Sequence, residues 1–225
     1  ACGTVGLKPT WGRVSRYGVL ALAESLDHVG PLTRSVADAA IMTQTIAGHD
    51  PNDPTSLPDP VPDMLAHLDE GLTGIRFGFD ERYATDGIDK ELVSAILEAV
   101  SQLKEMGAQI EDVQLPEMDA FLPAWATLCS AEAVAAHRET YPSRRDDYGP
   151  WFKGWLDLGD KFTAADYAEA YNVRLVSNGH LRQLFSKIDV LICPSMSAPP
   201  HPVTQETLYG PPFFGKGADE KTARP

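Results

Sequence analysis

At 225 residues, 43% apolar and 23% charged, the chain has ordinary globular composition and room for one large domain or two small ones. Nineteen Lys and Arg against 32 Asp and Glu leave a net charge of −13. That field repels phosphate backbones and anionic lipid, which argues against a nucleic-acid or membrane-binding surface. No apolar run approaches the length of a transmembrane helix. Cys2, Cys129 and Cys193 are odd in number and far apart, so they fit neither a disulfide framework nor a Cys-x-x-Cys metal site. They read as reduced, mostly buried thiols, and with no secretory leader the expected location is cytoplasmic.

In chain order, Ala1–Thr10 is an apolar, Gly-punctuated strand ending at Pro9. From Trp11 to Pro31, turn residues alternate with short apolar runs such as Val19–Ala23, which predicts loops and brief strands. Thr33–Ala47 predicts a helix capped by Thr33 or Ser35, with Ala39, Met42 and Ile46 on its inner face and Gly48 at its end. His49 to Pro62 is a Pro-rich loop. Gly74–Asp80, with Ile75, Phe77 and Phe79 alternating, predicts a strand.

Asp89–Met106 predicts an amphipathic helix that buries Leu92, Ile96, Ala99, Val100 and Leu103 and stops at Gly107. Ala108–Leu115 predicts a second strand. Strand, helix, glycine and strand at this spacing make a βαβ unit with parallel pairing and a right-handed crossover.

Phe121 to about Tyr141 is a further, Ala-rich helix. Thr163-Ala164-Ala165-Asp166 is a capping box with Asp in place of Glu. It opens a long helix striped by Tyr167, Tyr171, Arg174, Leu175, Asn178, Leu181 and Phe185. Asp189–Cys193 suits a buried parallel strand ending at Pro194, and residues 194–225 form a Pro/Gly-rich loop. The fold class is α/β, with helices flanking a sheet.

The common catalytic motifs are missing: no Gly-x-Ser-x-Gly elbow, no phosphate-binding Gly-rich loop and no His-Glu-x-x-His. Ser101-Gln102-Leu103-Lys104 lies mid-helix without its companion motifs and reads as chance. His49-Asp50-Pro51-Asn52-Asp53 collects metal-type ligands but fails the calcium-loop spacing, and reads as turn formers. The other histidines are dispersed. No metal and no cofactor is expected.

Cys2-Gly3-Thr4-Val5-Gly6-Leu7-Lys8-Pro9-Thr10-Trp11-Gly12-Arg13-Val14-Ser15 resembles the stretch that follows the nucleophile in the amidase signature family. Ser25-Leu26-Asp27-His28-Val29-Gly30-Pro31 and Ala47-Gly48-His49-Asp50-Pro51-Asn52-Asp53-Pro54-Thr55-Ser56 resemble its next segments, and the later elements follow in the family's order. The resemblance implies a portion of an α/β/α fold with a mixed, twisted central sheet. It makes residues 1–225 a single incomplete domain. Residues 1–120 would be core with the βαβ unit, and 121–193 a helical substrate-pocket part with a strand.

It also implies amide hydrolysis by a Ser-Ser-Lys triad whose oxyanion is held by backbone N–H groups. That triad is expected upstream of Ala1, so none of its members lies in this sequence, and Lys8 is not the triad lysine. The chain by itself is expected to be inactive, marginally stable and prone to aggregate.

By resemblance, the helix bearing Trp125, Cys129, Glu132 and His137, the turn at Trp151 and Trp155, and the loop Pro194-Ser195-Met196 border the acyl pocket. The substrate-contacting set is Trp125, Cys129, His137, Trp151, Ser195 and Met196. Core packing is the competing reading for Trp125, Trp155 and above all Cys129. The glutamine-using component of the tRNA-dependent amidotransferase grips a carboxylate with an arginine before the long helix. Here that region, Tyr148 to Trp155, offers Trp and Phe, with Lys153 as a partial substitute. A small neutral amide is the expected substrate, with a homodimer as a compatible assembly. Two alternatives remain: the glutamine amidase component of a tRNA-dependent amidotransferase, and a non-catalytic α/β fragment.

Overall fold

The computed structural model describes residues 3–117 and 119–200. Cys2 and the part of the C-terminal loop from His201 onward lie outside the described residues. The chain divides into two compact units: residues up to Glu70 with Glu132–Arg144, and Gly71–Ala131 with the residues from Arg145 on.

In the first unit, β1 (Val5–Gly6) pairs antiparallel with β2 (Leu32–Thr33), Val5 opposite Thr33. The strand expected over Ala1–Thr10 is thus reduced to two residues in its described part. Gly30 makes the pairing possible, because a Cβ there would meet the Leu7 carbonyl oxygen at 2.0 Å. Helix α1 (Val36–Ile46) begins where Ser35 accepts a hydrogen bond from the Asp38 N–H. Its buried face is Ala39, Ala40 and Thr43. Met42 and Ile46 are exposed, contrary to the expected stripe, because only the small side chains let the helix lie close to the β1–β2 pair. Val19–Ala23 is irregular loop between two turns rather than a strand.

In the second unit, three parallel strands run in the order β4-β3-β5: β3 (Arg76–Phe79), β4 (Gln109–Asp112) and β5 (Val190–Ile192). The βαβ unit is present as expected. It is closed by α3 (Lys90–Glu105), which Asp89 caps and which ends before Gly107 at φ +93°. The helix presents Leu92, Ile96, Ala99, Val100 and Leu103 inward, and Val100 and Ile96 join Phe79, Ala84, Ile110 and Ile192 in one apolar cluster. A short helix not expected from the sequence, α2 (Glu81–Thr85), follows β3.

Helix α4 (Phe121–His137) is Ala-rich and stops short of Tyr141. Next come a 3-10 turn (Arg145–Asp147), α5 (Pro150–Gly159) and α6 (Ala164–Leu184). The capping box of α6 has both bonds in place, and Thr163 holds the Asp166 carboxyl below its ordinary range. The stripe expected along α6 is not its buried face. Ala170 is buried, while Tyr171, Leu175, Val176 and Phe185 are exposed.

Residues from the far end of the chain are locked beside β3 by one ion pair. Asp189 accepts from the Arg76 backbone N–H (2.9 Å), Nε (3.0 Å) and Nη2 (2.7 Å), and its own N–H donates to the Arg76 carbonyl (2.8 Å). The guanidinium, and then the backbone bond, hold the Asp189 carboxyl at about 2 against an ordinary 3.8. At the strand's centre, a Cβ on Gly78 would lie 2.5 Å from Ile188 Cδ1 and 3.2 Å from Val113. Gly78→Ala should therefore cost about 1–3 kcal/mol by overpacking, read as a lower urea midpoint. Because the folded pKa of Asp189 lies below its unfolded value, its contribution is complete above about pH 4 and fades toward pH 2. The gap in urea midpoint between wild type and Asp189→Asn should be open at pH 7 and close as pH falls through that window.

Candidate active site

Parallel strands place their carboxyl ends on one edge of the sheet, where α/β folds bind ligands. At this edge Asp80, just past β3, is buried and fully employed. It accepts from Tyr83 N–H (3.0 Å), capping α2, and from Leu115 N–H (2.7 Å). Past β5, Cys193, Ser195 and Met196 are exposed, so Cys193 departs from the buried thiol the sequence suggested; β5 ends before it at Ile192. The loop is tied down one residue later, where the Asp89 N–H donates to the Ser197 carbonyl (2.8 Å) at the start of α3.

The segment at Trp151 and Trp155 is a helix, α5, and not a turn. Pro150 and Gly154 read as turn residues, yet Pro suits the first helical position and Gly154 meets open space. Four-residue spacing stacks Trp151 on Trp155, centroids 6.0 Å apart and planes 4° apart. Trp125, from α4, meets the same ring at 5.6 Å and 45°. Trp155 is 6% exposed, while Trp125 and Trp151 are 44% and 40% exposed. Tyr148 and Phe152 stack alongside at 5.9 Å. The cations of this region are engaged: Arg145 pairs with Asp157, and Lys153 Nζ lies 3.4 Å from Asp146.

Two of the six residues expected to contact substrate, Trp125 and Trp151, are thus brought together through Trp155. Ser195 and Met196 share the loop after β5. Cys129 is buried within α4, and His137 is buried at its C-terminal end. The resemblance places Trp155 beside Trp151, whereas the Tyr148–Phe152 pair is legible only as an i, i+4 aromatic pattern that the flanking Pro and Gly disguise.

The first unit carries a separate polar network. The Arg16 guanidinium lies 4.7 Å from the Trp11 ring centroid, pairs with Glu24 (2.9 Å) and donates to Thr55 Oγ1 (2.9 Å). Asp53 accepts from the Arg16 and Thr55 N–H groups and the Thr55 hydroxyl, which together hold it at about 2. Ser15 donates to Asp50 (2.6 Å) and lowers its pKa. These carboxylates serve as turn formers. Among the described residues, no group of three or more His, Cys, Asp or Glu is arranged to hold a metal. A cavity of about 570 Å³ beside the network is lined by Arg16, Leu20, Leu22, Asp27, His28 and Asn52.

The sequence model of the family described as Amidase matches residues 1–217. The chain belongs to the amidase family. It is 42% identical over 199 residues to an amidase from Pseudomonas putida, covering 88% of this chain and 43% of that protein. It is 37% identical to a glutamyl-tRNA(Gln) amidotransferase subunit of Geobacter sp. (strain M21), covering 91% and 47%. The solved structure of the corresponding protein from Thermotoga maritima superposes with a TM-score of 0.77 at 31% identity, covering 92% of this chain and 45% of that one. The fold is therefore the α/β fold of amidase signature enzymes. The chain spans just under half the length of these relatives. Among the described residues no helix is long and apolar enough to cross a membrane.

Ser25 and Glu132 supply a long-range tether in the first unit, the two Glu132 oxygens accepting from the Ser25 N–H (2.8 Å) and hydroxyl (2.6 Å). Glu132→Ala strands both donors and should cost about 1–3 kcal/mol, measured by denaturant unfolding, with Glu132→Gln losing less.

Proposed function

We propose that the protein containing this chain hydrolyses a small, uncharged carboxylic amide to the acid and ammonia. On this reading residues 121–196 supply walls of the acyl pocket. A Ser-Ser-Lys triad preceding Ala1 performs the cleavage: the serine adds to the carbonyl, ammonia leaves, and water releases the acid from the acyl-enzyme. Likeness to a protein named amidase supports the hydrolytic class.

The observation that carries substrate charge is the pairing of Arg145 with Asp157 and of Lys153 with Asp146. A substrate carboxylate needs a cation that is not already matched by a fixed acid. Here both cations in the stretch beside the indoles have such a match, so a neutral amide is accepted at lower electrostatic cost. The amidotransferase reading is favoured by relatives carrying that name at 37% and 31% identity. It would require glutamine as ammonia donor and companion proteins.

Ammonia release by the full-length protein alone distinguishes the two. Neutral amides such as butyramide and benzamide should exceed glutamine in kcat/KM by about tenfold or more. Preference for glutamine, or turnover that appears only with a companion protein, would sink the proposal.

A further inference from the structure

We draw no further inference here: the strongest candidate, the cavity of about 570 Å³ between residues 16–29 and 52–55 of the first unit, carries nothing, because its Arg16, Asp27 and Asp53 side chains bond within its own wall and nothing in the structure shows what covers its exposed rim of Tyr17, Val19 and Leu20.

Discussion

The ion pair between Arg76 and Asp189 is the constraint on which the carboxyl edge of the sheet depends. A three-residue strand such as β5 has too few ladder bonds to fix its own register. Immediately before the strand begins, the Asp189 carboxylate accepts from the Arg76 guanidinium and backbone N–H, and the Asp189 N–H donates to the Arg76 carbonyl. Gly78 then allows Ile188 to sit against the middle strand, where any side chain would push it away. A one-residue slip would turn each side chain of β5 to the opposite face and shift the start of the loop that carries Cys193 to Met196. The loop beyond β5 therefore inherits its position from two contacts formed before β5 starts.

The aromatic platform is built by a different device, local spacing on a helix. Trp151 and Trp155 are neighbours because they are four residues apart, and Trp125 joins them from α4. Leu156, fully buried, anchors α5 and leaves Trp151 to share its surface between Trp155 and solvent. Exposing two indoles in this way forgoes burial that a globular surface ordinarily takes, and half-exposed tryptophans concentrate where ligands or partners bind.

The elements most legible in the sequence are those whose signals are local and agree with one another. The βαβ unit has alternation, a five-residue apolar helix face, an Asp at the helix start and a Gly stop, and it forms as expected. The Thr163 capping box marks the start of α6 to the residue. Where signals conflict, the sequence misleads. Helix α5 opens with Pro150 and contains Gly154, two turn-like residues, but one occupies a position that needs no N–H donor and the other faces open space. On α1 and α6 the periodicity is helical as read, yet the closest packing falls on Ala39, Ala40, Thr43 and Ala170. Small side chains decide how near a helix can approach, and hydropathy does not measure that. For the site, Trp125, Trp151 and Trp155 could be named from sequence, but the stacking of Trp151 on Trp155 depends on α5 being a helix, which Pro150 and Gly154 disguise.

On the proposed reading, substrate charge follows from how cations are committed rather than from which cations are present. Arg145 lies close in sequence to the place where a carboxylate-binding member of the family would need a guanidinium, so its presence alone would favour glutamine. On that reading Asp157, placed on α5 where it meets Arg145, would change that outcome without removing the arginine. Lys153 is likewise turned toward Asp146. An exposed pair of this kind adds little to folding stability, but it offsets the charge that each cation would present to an anion. On the proposed reading, those two pairings remove the reward that either cation would otherwise offer a substrate carboxylate.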